Sequence, residues 1–119
     1  MSDKGMLSGL ILEGTRFEGT LQFENKMRID GEFKGKIESK SQLIVGKSAK
    51  IDAEIHVHDI VVMGEIRGTI AECENLEIQK GGTVLADIRV KTLDIKPGAV
   101  FEGKCVMLNG SGTKGKGAN

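Results

Sequence analysis

Apolar and polar residues alternate around a small residue in six short phrases along the chain. They are Phe17-Glu18-Gly19-Thr20-Leu21, Phe33-Lys34-Gly35-Lys36-Ile37, Ile51-Asp52-Ala53-Glu54-Ile55, Ile66-Arg67-Gly68-Thr69-Ile70, Val84-Leu85-Ala86-Asp87-Ile88 and Phe101-Glu102-Gly103-Lys104-Cys105. A period of two places alternate side chains on one face of a strand. A second apolar pair follows each of the first five phrases: Met27 and Ile29, Leu43 and Val45, Ile60 and Val62, Leu76 and Ile78, Leu93 and Ile95. The phrases begin at 17, 33, 51, 66, 84 and 101, and two patterns recurring in phase at nearly fixed spacing mark a repeat architecture.

A unit of this length holds short strands and bends but no helical crossover, so successive units must wind as a coil with each strand parallel to its counterpart one turn on. The prediction is an all-β fold, a parallel β-helix of about six rungs and roughly 29 Å tall at ~4.8 Å per rung. Corners of two lengths join the strands, short ones through Asp30-Gly31-Glu32 and Met63-Gly64-Glu65 and longer ones such as Lys80-Gly81-Gly82. Stacking in register makes outward columns of Glu18, Lys34, Asp52, Arg67, Leu85, Glu102 and of Thr20, Lys36, Glu54, Thr69, Asp87, Lys104. Neither column sets like charges on adjacent rungs, as a stack this close requires.

Composition narrows the function. Lys plus Arg and Asp plus Glu are both 17, which removes the basic excess expected of a nucleic-acid binder and does not oppose self-association. Seventeen glycines, one proline, no tryptophan and no tyrosine suit a fold of tight turns without aromatic ligand pockets. Two cysteines, Cys73 and Cys105, and the lack of a signal-like leading segment predict a cytoplasmic protein. No stretch approaches the ~20 apolar residues of a membrane span. The expected organisation is a flexible tail at 1–9, one β-helical domain at 10–108 and a disordered Gly/Lys tail at 109–119.

Candidate chemistry is sparse. His56 and His58 flank Val57 and face outward together, with Cys73 near their column, but the trio lacks the fourth ligand of a structural zinc site. The expectation is solvated imidazoles, and no metal or other cofactor. No nucleophile lies beside a base, and no glycine loop opens a helix to hold phosphate, so catalysis is not expected. A hexapeptide-repeat enzyme, acyltransferase or carbonic-anhydrase-like, would keep a strict six-residue period, which rung spacings of 15 to 18 break. A non-polymerising solenoid that binds a partner protein is the other alternative. Ile44 and Val61 are apolar at matching outward positions on successive rungs, which fits either cover by a tail or a lateral contact with a partner or a second filament.

The ends of an open β-helix carry unpaired backbone groups and a section through the core, and no helical cap is encoded here. Phe101, Cys105, Val106 and Met107 at one end, and Leu10, Leu12 and Phe17 at the other, are therefore the expected self-assembly residues. The series from Phe17 to Leu108, with Ile29-Asp30-Gly31-Glu32-Phe33-Lys34-Gly35, Val62-Met63-Gly64-Glu65-Ile66-Arg67-Gly68 and Gly98-Ala99-Val100-Phe101-Glu102-Gly103, resembles the bactofilins over about four fifths of the chain. The resemblance implies a single-stranded right-handed β-helix between disordered tails. It also implies nucleotide-independent assembly end to end into non-polar filaments, at or near the inner membrane surface of a bacterium. Such filaments act as scaffolds for cell shape and for cell-wall enzymes. Many family members begin with a membrane-targeting tail rich in large apolar and basic residues, a pattern from which Met1 to Ser8 departs.

Overall fold

The computed structural model describes residues 7–11 and 13–108. Their elements are all strands: β1 (Leu7–Ile11), β2 (Arg16–Phe23), β3 (Lys26–Ile29), β4 (Glu32–Val45), β5 (Lys50–Val62), β6 (Glu65–Ile78), β7 (Thr83–Ile95), β8 (Val100–Glu102) and β9 (Cys105–Met107). Each pairs in parallel with its counterpart one turn on, giving the expected β-solenoid, with about 5 turns where about six rungs were expected. The sixth anchor, Phe101, opens an incomplete turn made only of β8 and β9. The leading and closing segments beyond these residues, Leu12 among them, lie outside the described residues.

The register follows the sequence phrases. Phe17, Phe33, Ile51, Ile66, Val84 and Phe101 stack in one inward column, and Leu21, Ile37, Ile55, Ile70, Ile88 and Cys105 in another. Met27, Leu43, Ile60, Leu76 and Leu93 form a third. In the middle turns these side chains are almost completely removed from water, and no polar or charged residue is buried among them. The core is a continuous apolar shaft, the arrangement by which a small chain buries enough surface to fold.

One feature differs from the sequence pattern. The paired phrases suggest two strands per turn, yet from β4 to β7 each turn is one continuous strand of 13 or 14 residues. The bend between phrases lies inside the strand, where the register slips between Ser39 and Gln42, Ile55 and Asp59, and Ile70 and Cys73. Such bulges bend a strand while pairing continues on either side. At the third of these bends Glu72 takes a φ of 56°, the one positive value among described non-glycine residues. The longer corners close differently: the amide nitrogens of Gly82 and Ala99 donate to the Gln79 and Lys96 carbonyls at 2.8 and 3.0 Å. Gly81 and Gly98, with φ of 87° and 90°, supply the positive angle that a type II turn needs at its third residue.

Candidate functional site

Both ends of the solenoid are cut half a turn out of step. At the N-terminal end β1 lies on β3, while no described strand covers the outer edge of β2. At the other end β8 and β9 lie on the first half of β7, and no described strand covers its second half from Thr92 to Ile95. Each end thus presents a raised half-turn beside an open strand edge, whose unpaired amides and carbonyls invite another strand.

Exposed large apolar side chains occur at these ends and nowhere else among the described residues: Phe17 is 39% exposed, Val100 45% and Val106 50%. Phe17 stacks on Phe33 with ring centroids 5.3 Å apart, so one face of its ring is covered and the other is not. Phe101, Cys105 and Met107 are partly buried against the end of the core. Val106 is paired with Arg89 and belongs to an outward column, so it flanks the end rather than extending the core. At the opposite end the register sets Ile11 against Ile29 of the inward columns and Leu10 against Arg28 of an outward one. Val100 was not singled out from the sequence, because its place beside Phe101 and above Thr83 becomes meaningful only once no described strand is seen to cover β8.

The remaining candidates disperse. Ile44 and Val61 stack on each other at half-exposed positions, but Arg28 precedes them and Glu77 and Asp94 follow in the same column, so the apolar patch is two turns tall. His56 Nε2 lies 2.6 Å from Glu54 and its Nδ1 3.6 Å from Glu72, while His58 Nδ1 is 3.2 Å from Asp59. The His56 contact and charge hold the Glu54 carboxyl below the usual range. Cys73 lies beside the column of His58 as expected, but its side chain is buried in the core, where its Sγ reaches the backbone carbonyls of Asn75 at 3.2 Å and His58 at 3.5 Å. Burial and then the charge of Asp59 push its thiol pKa up to about 12, so it is an inert packing group. No three His, Cys, Asp or Glu side chains converge as a metal would require among the described residues.

The outward columns bear the predicted alternation of sign: Glu18 pairs with Lys34, Lys34 with Asp52, and Asp52 with Arg67. The neighbouring column reads Arg16, Glu32, Lys50, Glu65 and alternates too. Ion pairs form within it and across it, Arg16 to Glu32 at 3.2 Å and Arg67 to Glu65 at 2.6 Å. No helix among the described residues is long and apolar enough to cross a membrane.

Comparison with known proteins places this geometry. The bactofilin family, described as polymer-forming cytoskeletal, matches residues 9–106. Bactofilin BacO of Myxococcus xanthus (strain DK1622) is 29% identical over 90 residues, 76% of this chain and 71% of that protein. Bactofilin BacP of the same organism is 29% identical over 89 residues, 75% of this chain and 37% of that protein. No solved structure matches significantly.

Proposed function

The chain belongs to the bactofilin family of polymer-forming cytoskeletal proteins, and from that premise we propose that it assembles end to end, without nucleotide, into filaments. The observation that carries this reading is that, among the described residues, exposed large apolar side chains are confined to the first and last turns, beside strand edges that no described strand covers. A solenoid with uncovered ends gains by stacking: apolar surface leaves water, and free backbone donors and acceptors find partners. The filament would act in the cytoplasm as a structural scaffold rather than an enzyme, holding cell-wall enzymes and cell shape at or near the inner membrane. The contacts assigned to the junction are Phe101, Cys105, Val106 and Met107 at one end, and Phe17 with the Leu10 to Leu12 segment at the other.

Negative-stain microscopy of the purified protein without nucleotide or metal, beside Phe101→Arg, tests assembly. Wild-type filaments are expected, and their loss in a variant that keeps its β-rich circular dichroism. Cys105 supplies a second reading, because stacking at its end should shield it from a thiol reagent in wild type and leave it open in the variant. Wild type that stays monomeric across salt and protein concentration would remove the assembly reading.

The two-turn patch of Ile44 and Val61 supports a subsidiary role, contact with a partner protein or a neighbouring filament. Val61→Lys should then leave single filaments intact and reduce capture of a partner or lateral association. Unchanged behaviour in both assays would return the patch to ordinary surface.

A further inference from the structure

The two outward columns form a lattice whose signs alternate along both directions. Successive turns carry Arg16 and Glu18, Glu32 and Lys34, Lys50 and Asp52, Glu65 and Arg67, each pair two residues apart on one strand. Four cations and four anions make the face neutral as a whole. The pattern stops at the fifth turn, where Thr83 and Leu85 occupy the same columns. Most of these side chains are exposed. Arg16, Glu32, Glu65 and Arg67 are used in ion pairs within the chain, whereas Glu18, Lys34, Lys50 and Asp52 form none with another described residue.

Alternation along a column follows from stacking, since adjacent turns lie ~4.8 Å apart and like charges would repel. Alternation across the columns adds a property that stacking does not need, because it makes the face complementary to itself. Let a second copy be turned about a two-fold axis that runs up the solenoid between the columns. Arg16 then faces Glu18 of the second copy, Glu32 faces Lys34, Lys50 faces Asp52 and Glu65 faces Arg67. A two-fold axis along the strands works equally: Arg16 faces Glu65, Glu32 faces Lys50, Glu18 faces Arg67 and Lys34 faces Asp52. Every opposition joins unlike charges, whether the two solenoids run side by side in the same direction or in opposite ones.

We infer that this charged face is a lateral docking surface for a second copy of the chain, joining filaments side by side. The inference rests on the assembly reading. One copy's lattice measures roughly 14 Å by 7 Å between the outermost charged positions, from four turns and two columns, far below the ~800 Å² per partner of a stable complex. Single subunits therefore do not pair through it. A filament repeats the lattice along its length, and linked weak contacts bind together through their effective concentration. Because the charges are exposed, the contact is screened by salt.

The test uses an inverted lattice: Arg16→Glu, Glu18→Lys, Glu32→Lys, Lys34→Glu, Lys50→Glu, Asp52→Lys, Glu65→Lys and Arg67→Glu in one chain. Inversion keeps every intrachain alternation, so the stack is retained, and keeps the face complementary to itself. Against wild type in the same register, however, it sets like on like, and the one-turn slip that restores unlike pairs leaves one row of each lattice without a partner. Filaments of the two proteins, grown separately with different fluorophores and mixed at low salt, should form bundles of one colour each, and both should separate into single filaments at high salt. The double variant Lys34→Gln/Lys50→Gln, which brings no like charges onto adjacent turns, should give single filaments with bundling sharply reduced. Bundles of mixed colour, or bundles that persist in the double variant and at high salt, would overturn the lattice as the docking surface. Wild-type filaments that stay single at low salt would overturn it while leaving assembly standing; no filaments at all would overturn both.

Discussion

Gly68→Ala is expected to destabilise the solenoid by about 3 kcal/mol or more, the sum of a strained backbone and a collision. Gly68 has a φ of 116°, which residues with a Cβ resist, and a Cβ built there would run into the carbonyl oxygen of Ala53 on the turn below. That carbonyl cannot move aside without breaking the pairing between β5 and β6. In a domain near 100 residues such a loss lowers the melting temperature by roughly 12–24 °C. Gly19 provides the control. It has the same kind of angle, 139°, but sits on the first turn, where a Cβ meets only Phe17 at an ordinary 3.7 Å. Gly19→Ala should therefore show the backbone part alone, about 1–2 kcal/mol. Thermal melts of both variants in the Phe101→Arg background, which keeps assembly out of the measurement, decide the matter. Equal shifts would mean that the turns yield locally and the collision is not felt.

Ile70→Ala should cost about 2–5 kcal/mol, the range for deleting a fully buried aliphatic side chain and leaving a void. Ile70 stacks between Ile55 and Ile88 and is 0% exposed. In a solenoid each turn touches only its neighbours, so a void here weakens both contacts of the fourth turn and uncouples the two ends. Leu21 occupies the same column at the first turn, is only partly buried, and has a turn on one side alone. Leu21→Ala should be clearly milder, with its effect confined to β2. Hydrogen exchange separates the outcomes: Ile70→Ala should speed exchange through β5, β6 and β7 together. If Leu21→Ala were as damaging as Ile70→Ala, coupling through the middle of the stack would not govern stability.

Much of this architecture was legible in the residues. The inward columns, the outward charge columns and the parallel register followed from phrases of period two recurring in phase, because a side chain's face is fixed by its parity in a strand. The bends were not legible. Ser39 to Gln42 and Ile55 to Asp59 contain no glycine or proline to punctuate them, and the strand turns there by slipping register. The inward orientation of Cys73 was hidden for the same reason, since one residue of slip exchanges inward for outward. The candidate end residues Phe101, Cys105, Val106 and Met107 were grouped from the sequence by hydrophobicity and place, and only the register separates Phe101, Cys105 and Met107, in inward columns, from Val106. Val106, paired with Arg89, belongs to an outward column. The lattice of alternating charge was present in the sequence as Arg16/Glu18, Glu32/Lys34, Lys50/Asp52 and Glu65/Arg67. It became readable as a surface only when two neighbouring columns were seen side by side.

The inward columns have a consequence for length. Phe33, Ile51, Ile66 and Val84 succeed one another at one position, and Leu43, Ile60, Leu76 and Leu93 at another, so successive turns are nearly interchangeable parts between two specialised ends. A body of this kind grows or shrinks by whole turns without altering either terminus. In the proposed filament, turn number would thus work as a ruler, setting the interval at which any feature on the outer surface recurs.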